Sequence, residues 1–402
     1  VHGQVHGNAD ARAYHELKPK LLPAVLESFA YLSAEADLML VEGAGSPAEV
    51  NLRRGDIANM GFATVANVPV VLVGDIERGG VLAALVGTWT LLSEAERTLL
   101  RGYIVNKFRG DIGLFEDAPA IIAEHTGLES FGIVPWFSGA ALLPAEDTAS
   151  LDSRLAGNSP SVPAGAIHIV VPRLPRIANF DDLDPLAAES DVCLEFVSPG
   201  QPLPGGADLY LLPGSKSTRA DLAALRSAGW DQALLAAAQS GARIFGICGG
   251  YQMLGRTVAD PGAVEGPAGS DAGLSLLDIA TEIDGTKRLA AAFGQSPFYD
   301  APVEGYEMHM GRTTGPDTHR NLLSLQTPEG PRPDGAISPN GRIAGCYVHG
   351  LFAGDAFRHA FLKALQPERG TGAAWQAMIA RTLDELADHL ELETLLAVAR
   401  NR

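Results

Sequence analysis

The sequence predicts an α/β protein of two domains, each a mainly parallel sheet flanked by helices, and three observations carry that reading. Short aliphatic runs alternate with amphipathic stretches, as where Val68 to Gly74 is followed by Val81 to Leu92, the rhythm of strand–helix units that build parallel sheets. At 402 residues the chain exceeds what one core normally fills. Between Leu151 and Gly165, the stretch Gly157-Asn158-Ser159-Pro160-Ser161-Val162-Pro163 has no period and several breakers. The expected division is therefore 1–150, a linker at 151–165, a second domain at 166–356 and a helical segment at 357–402.

Taken in order, Tyr14 to Ala34 carries Leu17, Leu21, Leu22, Val25, Leu26, Phe29 and Leu32 at helical spacing, a stripe expected to pack in the core. Asp37 to Gly45 reads as an apolar strand ending in an acid and glycines. Val71-Leu72-Val73-Gly74-Asp75 and Ile104-Val105-Asn106-Lys107-Phe108 read as two more strands, each closing on polar residues. The carboxyl edge of a parallel sheet is where ligands bind in this architecture. Glu42 is accordingly a candidate for Mg²⁺, and Asp75 and Asn106 are candidates for contact with a nucleotide. As a capping glutamate or an ordinary strand-end acid, each also has a purely structural reading. In the second half, Asp260 to Gly273 reads as a surface loop, Ile343 to His349 as a short apolar strand, and Trp375 to Val398 as the clearest terminal helix.

Ala242-Arg243-Ile244-Phe245-Gly246-Ile247-Cys248-Gly249-Gly250-Tyr251-Gln252-Met253-Leu254 is the most informative stretch. Apolar β-formers run into a Gly-x-Cys-Gly-Gly turn that opens a helix, the pattern of a nucleophile elbow that lifts a reactive side chain out of a sheet. A thiol at a helix N-terminus meets unpaired N–H groups that favour thiolate and can hold an oxyanion. A buried structural cysteine gains nothing from such a turn. A nucleophile needs a base, and His349, closing Cys346-Tyr347-Val348-His349, is the candidate.

These residues resemble a class I (triad-type) glutamine amidotransferase domain, with Cys248 matching the nucleophile and His349 the base. Leu211-Leu212-Pro213-Gly214-Ser215-Lys216-Ser217-Thr218 resembles the loop that supplies an oxyanion donor in such domains, so the N–H of Gly214 or Ser215 would join that of Gly249. Most such domains continue His-Pro-Glu and use the Glu to orient the imidazole. This chain reads His349-Gly350-Leu351, a departure shared by the branch that amidates the cobalamin ring.

Three further stretches narrow the branch: Val41-Glu42-Gly43-Ala44-Gly45 through Gly55-Asp56-Ile57-Ala58-Asn59-Met60-Gly61, Arg173 through Asn179-Phe180-Asp181-Asp182, and Gly305-Tyr306-Glu307-Met308-His309-Met310-Gly311-Arg312-Thr313. Together they resemble the cobyric acid synthase family over essentially the whole chain. The resemblance implies an ATP-dependent, glutamine-hydrolysing ligase. Its substrate would be adenosylcobyrinic acid a,c-diamide, amidated at the b, d, e and g carboxylates, with Mg²⁺ and ATP as cofactor and co-substrate. Family members open with a strand, a Gly-Lys-Ser/Thr phosphate loop and a helix. No such loop occurs here and Val1-His2-Gly3 resembles an internal point, so the first domain is expected to be a truncated P-loop synthetase domain whose ATP binding is in doubt. Two alternatives stay open: a related ligase (a,c-diamide synthase or cell-wall lipid amidotransferase), and a non-catalytic corrinoid-binding protein.

Formal charge is −18, from 48 acidic against 30 basic residues, which argues against a nucleic-acid partner. No apolar run reaches membrane-span length and no signal peptide is visible, so no membrane association and a cytoplasmic location are expected. Cys193, Cys248 and Cys346 lack metal-site spacing. A homo-oligomer is left open.

Overall fold

A computed structural model describes residues 1–2, 6–7, 9–143, 162–370 and 372–400. The chain divides into two compact units, Val1–Ala140 with Arg381–Arg402, and Ala141–Ala380. Most of the linker expected at 151–165 lies outside the described residues.

In the first unit, helix α1 (Ala11–Glu35) starts where the Asp10 carboxylate accepts the N–H of Ala13 at 2.8 Å, satisfying one orphan donor of the first turn. Its apolar stripe is not the core element expected. No α1 residue is fully buried, and Val25, Leu26 and Phe29 pack half-buried against the core, Phe29 edge-on to Phe62 at 5.2 Å. The core itself forms around a three-stranded parallel sheet, β1 (Val70–Asp75), β2 (Leu100–Phe108) and β3 (Glu129–Pro135), in that order. Leu72, Tyr103 and Val105 from the sheet meet Leu85 of α2 (Val81–Leu91) and Ile122 of α3 (Ala118–Thr126). Strand followed by helix at 70–91 is as expected.

The strand expected over Asp37 to Gly45 is absent: this stretch is coil, with Leu40 83 % exposed. An extended segment becomes a strand only where a neighbour takes up its N–H and C=O groups, and no strand of the described residues pairs with this one. The terminal residues belong here too, since Glu391 donates its N–H to Phe131 O at 2.9 Å and Leu390 bridges Gly132. The helical segment expected at 357–402 is thus divided between the two units.

The second unit is built on a six-stranded sheet. Its strands are β4 (Ile167–Pro172), β6 (Val192–Val197), β7 (Leu209–Leu212), β9 (Arg243–Ile247), β16 (Ala336–Ile337) and β17 (Ile343–Cys346). They lie in the order β16-β17-β9-β7-β4-β6, all parallel except the β16–β17 pair. Every residue of β4, β7 and β17 is buried, as expected of strands covered on both faces. A two-stranded ribbon, β5 (Ile177–Ala178) with β8 (Gly214–Ser215), sits beyond the carboxyl ends of β4 and β7.

A second, largely antiparallel sheet was not anticipated. It comprises β10 (Thr257–Asp260), β11 (Gly269–Ala272), β12 (Ala280–Ser296), β13 (Ala301–Thr314), β14 (Leu323–Thr327), β15 (Gly330–Asp334) and β18 (Val348–His349). Part of the loop expected at 260–273 is therefore the returning strand β11. The long β12–β13 hairpin escaped notice because Leu289-Ala290-Ala291-Ala292-Phe293 does not alternate apolar with polar, although only Ala292 of these is buried.

Candidate active site

β9 leads directly to Cys248, whose φ of 51° and ψ of −108° lie outside the ordinary regions for a side chain with a Cβ. The following helix, α4 (Gly249–Met253), is only five residues long. Its contribution to the site is therefore the local N–H groups of its first turn rather than a long dipole. The glycines are required by contact. A Cβ on Gly246 would fall 2.6 Å from Tyr251 N, and one on Gly250 would fall 2.1 Å from Leu212 O.

β17 pairs with β9 in parallel, Cys346 opposite Ile247, and the N–H of Cys248 donates to Cys346 O at 2.8 Å. The expected single strand from Ile343 to His349 is in fact two. β17 stays in the parallel sheet, whereas β18 crosses to pair with β13, Tyr306 opposite His349. That switch after Cys346 turns the imidazole back towards Cys248, close enough for the two side chains to interact electrostatically. Gly305 permits the close approach, since a Cβ there would meet His349 O at 2.2 Å. The pair is enclosed, Cys248 at 7 % exposure and His349 at 1 %, and the thiol lies 3.6 Å from Met308 O. Neighbouring His309 stacks on Tyr347 at 3.7 Å.

On the other side of the imidazole, Nδ1 lies 2.7 Å from Oδ2 of Asp182, and Oδ1 of Asp182 accepts the N–H of Gly350 at 2.6 Å. No local pattern in the sequence marks Asp182 for a role. The available signal is two adjacent acids between the apolar residues Phe180 and Leu183; of the two acids, Asp182 is buried. Burial by itself would depress the His349 pKa, but the charge and hydrogen bond of Asp182, with a further contribution from neighbouring Cys248, raise it to about 10. The folded pKa lies above the unfolded value near 6.5, so the pair stabilises the fold fully below about pH 6.5 and progressively loses that contribution up to about pH 10. The melting temperature should fall over this interval by on the order of 5 °C more for the parent protein than for His349→Gln. Parallel curves for the two would refute the coupling.

The ribbon β5–β8 brings the other expected residues to the same place. A Cβ on Gly214 would come 3.0 Å from His349 Cε1, and one on Gly249 would come 2.9 Å from Ser215 N. Ser215 is itself fixed, its Oγ donating to Asp221 at 2.6 Å. Cys248, Gly249, Gly214, Ser215 and His349 thus form one cluster. Its chemistry is that of acyl transfer: a thiol on a strained turn, an imidazole beside it, and backbone amides grouped around both.

The first unit holds the remaining candidates. Asp75 and Asn106 are cross-strand neighbours at the carboxyl ends of β1 and β2. The Asp75 carboxylate, half-exposed, pairs with Lys107 Nζ at 2.8 Å, and that hydrogen bond holds its pKa below the usual range. Asn106 accepts the N–H of Lys107 at 2.8 Å. Glu42 lies in coil and not at a strand end. Its loop is tied to Asn59, which donates to Ala44 O at 2.6 Å, while Asp56 gathers the N–H groups of Ala58, Asn59 and Gly61. Among the described residues no cluster of three or more His, Cys, Asp or Glu side chains is placed to hold a metal ion. Asp75 nonetheless suits Mg²⁺ bound to a nucleotide, which commonly takes only one or two protein carboxylates and is otherwise held by water and phosphate. No described helix is long and apolar enough to cross a membrane.

Comparison with known proteins agrees with this chemistry. A family model described as a CobB/CobQ-like glutamine amidotransferase domain matches residues 168–357, and one described as an AAA domain matches 15–140. Cobyric acid synthases of Brucella canis and Brucella suis biovar 1 are each 53 % identical over 391 residues, covering 97 % of this chain and 79 % of the relative. A cobyric acid synthase of Brucella melitensis biotype 1 shows the same identity and coverage. Among solved structures, PurLQS from Thermotoga maritima overlaps with a TM-score of 0.38 and 18 % identity, over 51 % of this chain and 100 % of its own. The enclosed Cys–His pair lies within the stretch matched by the glutamine amidotransferase model, and the chain belongs to the cobyric acid synthase family, whose members are glutamine-hydrolysing ligases.

Proposed function

We propose that Cys248 and His349 hydrolyse glutamine and that the ammonia released is used, with ATP, to amidate the b, d, e and g carboxylates of adenosylcobyrinic acid a,c-diamide. The observation that carries this reading is Cys248 on its strained turn, enclosed with a histidine whose Nδ1 is held by a buried carboxylate. In the proposed cycle the sulfur attacks the side-chain carbonyl carbon of glutamine. The oxyanion formed is held by the N–H of Gly249 and that of Gly214 or Ser215. His349, protonated at Nε2, gives its proton to the departing nitrogen, and ammonia leaves a γ-glutamyl thioester. Water, deprotonated by the now neutral imidazole, cleaves the thioester to glutamate, and the sulfur leaves as the thiolate beside the re-protonated imidazole.

For the ATP-dependent step, Glu42 is the carboxylate proposed to hold Mg²⁺, and Asp75 and Asn106 are the residues proposed to face the nucleotide. When bound, Mg²⁺ would offset the charge of the phosphates that these acids otherwise repel. His349→Ala tests the hydrolytic half. Glutamate release should fall about 10²- to 10⁴-fold, as expected when a general acid–base is removed, with the fold intact by circular dichroism. A rate near that of the parent protein would exclude His349 from the reaction.

A further inference from the structure

We propose that Asp182 is the positioning residue for His349, supplying from the segment after β5 the carboxylate that most class I amidotransferases place two residues after the histidine. The inference rests on the assignment of Cys248 and His349 made above. The position two residues after His349 is Leu351, buried at 1 % and without an ionisable atom. Asp182 reaches the imidazole instead, its side chain 3 % exposed, with Oδ2 on Nδ1 at 2.7 Å and Oδ1 on the Gly350 N–H at 2.6 Å.

Gly350 ties this arrangement to the local sequence. Its φ of 71° is left-handed, and its N–H is a ligand of Asp182. A proline, usual at this point in the related domains, has neither the conformation nor the donor. The departure from His-Pro-Glu to His349-Gly350-Leu351 is thus one change seen twice: the carboxylate moves to Asp182 and the residue after histidine becomes the one that can bind it.

The same segment also holds the face of the ring. Asn179, left-handed at φ 50°, donates from Nδ2 to the Tyr306 hydroxyl at 2.7 Å. The Tyr306 ring lies over His349, centroids 5.5 Å apart and planes at 24°. With Gly214 against Cε1, the imidazole is fixed at its edge and its face, with Nδ1 on Asp182 and Nε2 left to serve Cys248. The titratable groups around it are Asp182, Asp181, Asp184, Cys248, Cys346 and Tyr306. Asp181 is pushed up by burial and by its neighbours Asp182 and Asp184, so Asp182 is the carboxylate whose charge acts on the ring. Its role is to present Nε2 to the sulfur and to keep the imidazole protonated until ammonia departs.

The test is Asp182→Asn in the intact protein. Expected are a kcat for glutamine hydrolysis lower by about 10²- to 10³-fold with KM changed by less than about 3-fold, and a downward shift of the pH–rate profile. Asp182→Glu should recover part of the rate. A folded Asp182→Asn protein with parental kcat and pH profile overturns the proposal. Should that variant fail to fold, NMR titration of His349 in the unaltered protein decides: a pKa well above 6.5 supports the role, and one near 6.5 overturns it. Hydrolysis that survives Cys248→Ala would instead overturn the site assignment on which the proposal rests.

Discussion

Cys248→Ala is expected to lower glutamine hydrolysis by about 10⁴-fold or more, because no other group in the cluster can form the acyl intermediate. Alanine keeps the Cβ and therefore the same strain at φ 51°, so the turn should persist and the thermal midpoint should move little. Amidation supported by added ammonia bypasses the thioester and should continue at a rate close to that of the parent protein. Release of glutamate and ammonia-supported amidation are the two readings to compare. Equal losses in both would mean that Cys248 serves the fold and not the reaction.

Gly250→Ala should have the largest effect on stability. The added Cβ would fall 2.1 Å from Leu212 O and 2.6 Å from Leu212 C. Neither partner can yield cheaply, since Leu212 is fully buried in β7, next to β9 in the middle of the sheet. A loss of about 4 kcal/mol or more is expected, at the upper end for point substitutions, or failure to accumulate as folded protein. Urea unfolding measures it, with Gly205→Ala as reference, since a Cβ there meets nothing within 4 Å. A midpoint for Gly250→Ala equal to that of the reference would mean that the turn is not closed against β7.

Cys248 is legible as a candidate nucleophile because everything that marks it is contiguous: β-formers, Gly246, the strained position, then Gly249 and Gly250. Steric demands between residues a few positions apart leave their mark on sequence as glycine at fixed offsets. His349 was legible for a similar reason, as a polar residue ending an apolar run. The second sheet was less so, because the β12–β13 hairpin has no clean alternation; its strands are held mainly by pairing with each other and with β10, β14 and β18.

Two errors in the first unit share one cause. The apolar run near Leu40 looked like a strand and the stripe of α1 looked like a core face. Hydrophobic pattern states what a segment can bury but not whether a neighbour is there to cover it. Strand formation depends on a partner edge, which is a property of the assembled sheet.

The sequence by itself determined the α/β class, the elbow at Cys248, the histidine that serves it and the family. Only the tertiary structure decided how they meet. Pairing of β17 with β9 sets Cys346 beside Cys248, the switch of β18 into the second sheet turns His349 inward, and the segment after β5 carries Asp182 to its far nitrogen. The physical reason is range. Local stereochemistry selects residues at short, readable spacings, whereas an ion pair such as Asp182–His349 needs only that two distant segments reach the same point within 3 Å, and any spacing along the chain satisfies that.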